Sequence, residues 1–131
     1  MQYLLTIYVD EADFTNATPE EGMAMMAAYD ALTAELKDAG VLLGGEGLQP
    51  TSTATTVRVR DGEPLLTDGP FAETREQLGG FYLLECPDRD AALAWAAKVP
   101  DLGEGGSVEV RPVMDYEAAG AEPAGAEATQ G

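Results

Sequence analysis

The chain has 131 residues, which suits a single domain, and its hydrophobic fraction of 45% is enough to build a core. It carries 24 acidic residues against 7 basic ones, a formal net charge of −17, so its electric field opposes binding to nucleic acids and to anionic membranes. With no histidine and one cysteine, the sequence excludes His-dependent nucleophiles and internal disulfides, and it disfavours the usual zinc sites.

The first half of the chain predicts a strand, a helix and a second strand. Residues 2–9 are apolar on both alternating faces, which is typical of a strand covered on both sides. Thr18-Pro19-Glu20-Glu21 has the pattern of a capping box, so a helix is predicted from there to Gly40. Its buried stripe is predicted at four positions with helical spacing: Met25, Tyr29, Leu32 and Leu36.

The second half repeats this order after an inserted hairpin. Asp61-Gly62 is a hairpin turn signal, and Asp88 and Pro100 are natural limits for a second helix. Cys86 ends an apolar run and is expected to be a buried core residue. The predicted elements are a glycine-rich strand, the two hairpin arms, a central strand, a helix and a last strand: 41–48, 54–60, 64–68, 79–86, 88–99 and 107–114.

The composition changes after residue 114. Residues 115–131 contain no basic residue and no large apolar residue beyond Tyr116, which predicts a disordered acidic tail. The folded domain is therefore expected to span residues 1–114. No stretch has the length of a membrane span or the features of a signal peptide, so a cytoplasmic location is expected.

Two interleaved strand–helix–strand halves predict an α+β fold, a ferredoxin-like sandwich with an inserted β-hairpin. Two helices can cover only one face of its sheet. The opposite face keeps apolar side chains, and the economical way to bury them is against a second copy of the chain. The sequence therefore predicts a homodimer with its sheets face to face.

The most charged loop lies between the hairpin and the central strand. Asp68-Gly69-Pro70 has turn chemistry, with Asp68 expected to close the turn through its own side chain and Phe71 to pin the loop to the core. No local structural reason explains the next three charges, which suit a binding site and a surface ion-pair set equally well. The candidate ligand-binding residues are the four charged members of this loop: Asp68, Glu73, Arg75 and Glu76.

Other residues leave two interpretations open. Glu46 could face the same cleft or lie on a solvated edge. Four tyrosines could line a pocket or bond to the backbone: Tyr3, Tyr8, Tyr29 and Tyr82. The methionines near residue 25 favour core packing over a binding surface. The acidic residues show no metal-ligand spacing and Gly44-Gly45-Glu46-Gly47 lacks the lysine of a phosphate loop, so neither a metal nor a cofactor is expected.

Several segments resemble the YCII-related family, and within it the group named for its Asp-Gly-Pro-Phe (DGPF) motif. Residues 68–82, which begin Asp-Gly-Pro-Phe-Ala-Glu-Thr-Arg-Glu, are similar to that group's signature. Residues 40–50, 54–60 and 107–112 are also similar to its pattern, and the resemblance extends over about residues 1–116. It implies a dimeric ferredoxin-like α+β barrel.

The family's activity is largely unassigned. For its YCII-like members, the resemblance implies a His–Asp pair in a cleft near the first strand and helix. This chain has no histidine, and Asp10 is the residue that would keep the carboxylate half. The DGPF group is often encoded beside extracytoplasmic-function sigma factors, which implies a regulatory setting.

The first hypothesis is a small-molecule site in a cleft of the dimeric barrel. Any catalysis would need a carboxylate as general base, from Asp68, Glu73 or Asp10, with Arg75 orienting an anionic or carbonyl group. The alternative is a non-catalytic regulatory protein whose acidic surface meets a basic partner protein. A third alternative is a structural protein that lost its ancestral site together with the histidine.

Overall fold

The computed structural model describes residues 1–117. The strands are β1 (Gln2–Val9), β2 (Leu42–Gly47), β3 (Thr55–Arg60), β4 (Glu63–Asp68), β5 (Gln77–Glu85) and β6 (Ser107–Pro112). The helices are α1 (Glu11–Asn16), α2 (Pro19–Asp38) and α3 (Arg89–Ala96), with 3-10 turns at Thr51–Thr53 and Pro100–Glu104. The predicted acidic tail falls, from residue 118 onward, outside the described residues.

The main sheet has four strands in the order β2-β5-β1-β6, and every neighbouring pair is antiparallel. The units β1-α2-β2 and β5-α3-β6 interleave, because each half contributes one central and one edge strand. The β3–β4 hairpin forms a separate two-stranded sheet. The fold is therefore mixed α+β with antiparallel sheets, which agrees with the fold class that the sequence predicts.

The core lies between one face of the sheet and the helices. Alternate side chains of β1 are buried there, from Tyr3 to Val9, so one face of this strand is covered and not both as predicted. Cys86, directly after β5, is buried as predicted. From the helices, Leu32 and Leu36 of α2 and Ala92 of α3 complete this layer. The other sheet face carries half-buried apolar side chains: Leu4, Tyr8, Phe81 and Leu83.

Local signals placed two helix starts and the hairpin turn correctly, whereas α3 ends at Ala96 and not at residue 99 as predicted. Thr18 and Glu21 form the predicted capping box, and the Asp88 carboxylate accepts the Ala91 amide at 2.9 Å at the start of α3. Asp61 and Gly62 both have positive φ, 54° and 78°, which is the geometry of the type I′ hairpin turn.

Two features differ from the sequence expectations. The segment after β1, predicted as a loop, contains α1, whose N-cap Asp10 accepts a hydrogen bond from the Ala12 amide at 3.0 Å. Met25 and Tyr29 of the predicted buried stripe are only half-buried, whereas the later half of α2 packs on the sheet. The earlier half of α2 instead borders a cleft, which removes the packing partner that a buried stripe needs.

Candidate functional site

A cleft of about 1370 Å³ opens between the sheet and the helices. Ile7 and Val9 of β1 line it from the sheet side, and the first half of α2 lines it from the helix side. Residues of α1, of the Pro100–Glu104 turn and of the glycine-rich strand β2 complete the wall.

Two glycines are required by the close approach of β2 and β5 beside this cleft. A Cβ added to Gly45 would lie 2.8 Å from the Tyr82 ring and 2.9 Å from the Phe81 carbonyl oxygen. A Cβ added to Gly80 would lie 2.8 Å from the Glu46 carbonyl oxygen. The glycine-rich composition of both strands therefore sets how closely the strands approach and where the Tyr82 ring lies.

A tyrosine–carboxylate pair lies in the cleft wall. The Tyr29 hydroxyl of α2 donates a short hydrogen bond to the carboxylate of Asp101, which is only 8% exposed. Burial raises the pKa of Tyr29 far above its ordinary value, and the hydrogen bond to Asp101 and the Asp101 charge add to that rise. Tyr29 therefore remains protonated and acts as a hydrogen-bond donor at neutral pH.

The turn that carries Asp101 is fixed by its own backbone. Pro100 opens the 3-10 turn, and Gly105 closes it in the left-handed region at φ 84°. The Gly106 amide donates to the Asp101 carbonyl oxygen at 2.9 Å. A Cβ at Gly106 would lie 2.9 Å from that oxygen and from the Tyr8 carbonyl oxygen, so the turn packs directly on β1.

A second hydroxyl pair lies in the same wall. The hydroxyls of Tyr82 and Thr33 are 2.9 Å apart and both residues line the cleft. The two cleft tyrosines thus bond to side chains, and the sequence had left open whether they would bond to the backbone.

Asp10 lies at the rim, where β1 passes into α1. Its carboxylate caps α1, and one of its oxygens lies 3.9 Å from Nε of Arg75. The next residue, Glu11, accepts hydrogen bonds from the Thr51 amide at 2.9 Å and from its hydroxyl at 2.6 Å. These bonds join the rim to the segment that leads into the hairpin.

The predicted loop residues are distributed differently. Asp68 ends β4 and is exposed, and neither it nor Glu73 lines the cleft. No side-chain hydrogen bond of Asp68 occurs within residues 1–117, so the predicted closure of the turn by its carboxylate is wrong. The Gly69 amide instead donates to the Ala54 carbonyl at 2.7 Å, and the Thr56 hydroxyl donates to the Gly69 carbonyl at 2.8 Å.

The predicted anchoring of the loop by Phe71 is also wrong, because this side chain is 81% exposed. Arg75 and Glu76 line a second, shallower groove of about 560 Å³ beside Tyr8 and β6. There the Ser107 hydroxyl donates to the Glu76 carboxylate at 2.7 Å. Of the predicted site residues, the structure brings together Asp10, Arg75 and Glu76, while Asp68 and Glu73 line neither cavity.

Sequence reasoning missed Asp101 and misplaced two methionines. Met23 and Met26 are 70% and 69% exposed on the cleft side of α2, so they are not core filler. Their spacing of one helical turn on an exposed stretch was a usable signal. The signal for Asp101 was an acid directly after Pro100, which opens a short turn in a glycine-rich connection.

Within residues 1–117, no helix is both long and apolar enough to cross a membrane. The same residues contain no group of three or more acidic or cysteine side chains arranged to hold a metal ion.

Comparison with known proteins gives two concordant matches. The family model of the YCII-related domain matches residues 1–117. An uncharacterised protein of Rhizobium meliloti (strain 1021) is 39% identical over 117 residues, which cover 88% of this chain and 94% of the relative. The matched range coincides with the described fold and includes both cavities. The chain therefore belongs to the YCII-related family.

Proposed function

We propose that this protein binds a small organic molecule in the cleft beside Tyr29 and Asp101. The observation that carries the proposal is a cleft of about 1370 Å³ that combines apolar walls with a buried, hydrogen-bonded carboxylate. Ordinary ligand pockets hold roughly 300–1,000 Å³, so the space suits an organic molecule with accompanying water. A few fixed polar groups in a largely apolar cavity are the usual composition of such sites.

The same cleft supplies groups for carboxylate-based catalysis. Asp10 at the rim and Asp101 in the wall are the candidate general bases, and the Tyr29 hydroxyl is the hydrogen-bond donor. Arg75 reaches only the rim, where its Nε lies 3.9 Å from a carboxylate oxygen of Asp10, and is the candidate donor to a carbonyl group there. Ligand contacts by Asp68, Glu73 and Glu76 remain a separate prediction, since Asp68 and Glu73 line neither cavity and Glu76 lines the shallower groove.

We place this site in a ferredoxin-like fold that dimerises through the open sheet face. The strand order and the half-buried Leu4, Phe81 and Leu83 on that face support the proposal. Light scattering at micromolar protein should give the mass of two chains, and Leu83→Lys should shift it towards one. A wild-type chain that stays monomeric contradicts the dimer. A cytoplasmic location belongs to the same proposal, supported by the unpaired buried thiol of Cys86.

Gly22 gives a direct test of the cleft. It lies in α2, lines the cleft, and has no atom within 4 Å of a Cβ added to it. Gly22→Phe should therefore place a ring in the cleft and narrow it without disturbing the core. Ala34→Phe adds the same ring to an exposed position of α2 away from the cleft and is the matched control.

The assay is a thermal-shift screen of metabolites on the wild-type protein, followed by calorimetry on the variants. A ligand that raises the melting temperature of the wild-type and Ala34→Phe proteins but not that of Gly22→Phe places binding in the cleft. If ligands bind all three proteins equally, the cleft is not the site.

A second candidate function is a regulatory protein that binds another protein. The β3–β4 hairpin favours it, because Val57, Val59 and Leu66 are 61%, 72% and 66% exposed on one face of the ribbon. The family's association with extracytoplasmic-function sigma factors suggests the setting, and the acidic surface suggests a basic partner. A pull-down at low and moderate salt tests it, since contact driven by charge weakens with salt. A Val59→Asp variant that retains the same partners would argue against the hairpin.

A further inference from the structure

The charge of the cleft has one sign. Seven carboxylates and no lysine or arginine are among the described residues that line it. The whole chain has a formal net charge of −17, so the field of the protein adds to the field of the cleft. A ligand with an anionic group would meet repulsion throughout this cleft.

Asp101 makes the charge argument specific. It is the buried charged residue of the described chain, at 8% exposure, and no cation of residues 1–117 lies within ion-pair distance of it. Its side-chain partner is the neutral hydroxyl of Tyr29. A buried carboxylate is costly unless it is paired, and a hydroxyl supplies a hydrogen bond but no compensating charge.

The apolar side chains of the cleft wall favour an organic ligand over an inorganic ion. Met23, Met26 and Phe14 are 70%, 69% and 54% exposed, and all three line the cleft. Methionine side chains are flexible and polarisable, so they adapt to apolar ligands of different shapes. An apolar wall of this kind contributes binding energy only if the ligand has an organic body.

We propose that the ligand of this cleft is an organic amine. Its ammonium group lies against Asp101, and its apolar body lies against the methionines and Phe14. The inference rests on the proposed function, because it names the ligand class of the same site. It also departs from the sequence-based expectation of an anion oriented by Arg75, whose side chain is 93% exposed and does not line the cleft.

Three probes with one body and different charges test the inference: 4-phenylbutylamine, 4-phenylbutanol and 4-phenylbutyrate. Isothermal titration at neutral pH and low salt should show the amine binding about 10- to 100-fold more tightly than the alcohol, the range expected for a charge-assisted contact. The butyrate should not bind measurably. The amine's advantage should shrink at higher salt by less than it would at an exposed site, because the carboxylate is buried.

Matched variants assign the charge effect to the cleft. Asp101→Asn should reduce the amine's affinity about tenfold or more and leave the alcohol's affinity unchanged. Asp10→Asn is a second variant that will fold, because asparagine caps a helix as well as aspartate does, and it should weaken the amine several-fold. Asp38→Asn makes the same change of charge on an exposed position outside the cleft and should leave both affinities unchanged.

The outcomes separate the inference from the proposed function. If the alcohol or the butyrate binds in the cleft as tightly as the amine, the cleft binds small molecules but the assignment to amines is wrong. If Asp38→Asn loses as much amine affinity as the cleft variants do, the loss comes from the net charge of the protein and not from the cleft, and the assignment to amines is also wrong. If no probe binds the folded wild-type protein at millimolar concentration, the assignment to amines fails, whereas the proposed function fails only if the metabolite screen also finds no ligand that Gly22→Phe weakens.

Discussion

Removing the Tyr29 hydroxyl should destabilise the fold measurably, because the hydroxyl is the side-chain donor to a buried charge. Tyr29→Phe keeps the ring and deletes the hydrogen bond to Asp101, whose exposure is 8%. A hydrogen bond to a charged group is worth about 1.5–3 kcal/mol, and the half-buried position of Tyr29 favours the lower part of that range. With an unfolding entropy of about 2.1 cal/mol/K per residue, a loss of about 1.5–2 kcal/mol lowers the melting temperature of this domain by about 6–8 °C.

Urea unfolding followed by the fluorescence of Trp95, the single tryptophan of the chain, measures this loss. Tyr8→Phe is the matched control, since no hydrogen bond of the Tyr8 hydroxyl occurs within residues 1–117. It should change the free energy of unfolding by less than about 0.5 kcal/mol. The reasoning is refuted if the two variants are equally stable.

A double-mutant cycle isolates the pair. Asp101→Ala removes the carboxylate without adding volume to the packed turn, and the Tyr29→Phe/Asp101→Ala protein lacks both partners. The double variant should be less destabilised than the sum of the single variants by about 1 kcal/mol or more, because it leaves no buried polar group unpaired. Additive effects would show that the two side chains do not interact.

The same pair predicts a dependence on alkaline pH. The folded pKa of Tyr29 lies above its ordinary value of 10.0, whereas the unfolded chain releases the proton near that value. The stabilisation by the Tyr29 hydroxyl is therefore complete below pH 10 and is lost as the pH rises further, by about 1.4 kcal/mol per pH unit. The stability difference between the wild type and Tyr29→Phe should stay constant from pH 7 to about pH 9 and shrink above pH 10. A difference that grows above pH 10 would contradict this sign.

Three further predictions concern packing. Gly45→Ala should lower the free energy of unfolding by about 1–3 kcal/mol, because its Cβ would lie 2.8 Å from the Tyr82 ring. The neighbouring Gly44→Ala has open space around its Cβ and should lower it by less than about 1 kcal/mol. Similar urea midpoints for the two variants would contradict the close approach. Gly22→Ala should raise the free energy of unfolding by about 0.5–1 kcal/mol, because alanine favours a helix more than glycine does and its Cβ has no atom within 4 Å. A melting temperature below that of the wild type would contradict this open space. The pKa of Cys86 is raised, mainly by burial, so a thiolate-selective reagent should label it in urea and not in the native protein. Equal labelling rates in the two conditions would contradict its burial.

Many local features were predictable from short stretches of sequence. The capping box at Thr18, the cap at Asp88 and the turn at Asp61-Gly62 each depend on a few adjacent residues, and all three were confirmed. Alternation in β1 predicted two apolar faces, and only the packing of the helices decided which of them is buried. α1 was missed because its six residues form no apolar stripe and bury no side chain.

The candidate site was less accessible to sequence reasoning. The density of charge between Asp68 and Glu76 attracted attention, yet charge density in a loop does not tell which way the loop faces. Its turn is held by backbone groups and by Thr56, so the charges remain on the surface. Asp10 was named from family resemblance, and the structure places it at the rim of the cleft.

The sequence by itself determined the order of the strands and of the two longer helices, the caps at Thr18 and Asp88 and the turn at Asp61-Gly62, because each depends on a pattern within a short stretch of the chain. Only the tertiary structure decided where the cleft lies and what lines it. Tyr29 and Asp101 are 72 residues apart in sequence, and their contact exists because α2 and the turn after α3 pack on the same face of the sheet. No local sequence pattern encodes that contact. Asp101 becomes a candidate ligand-binding group because it is buried, and it is buried only when both halves of the fold pack together.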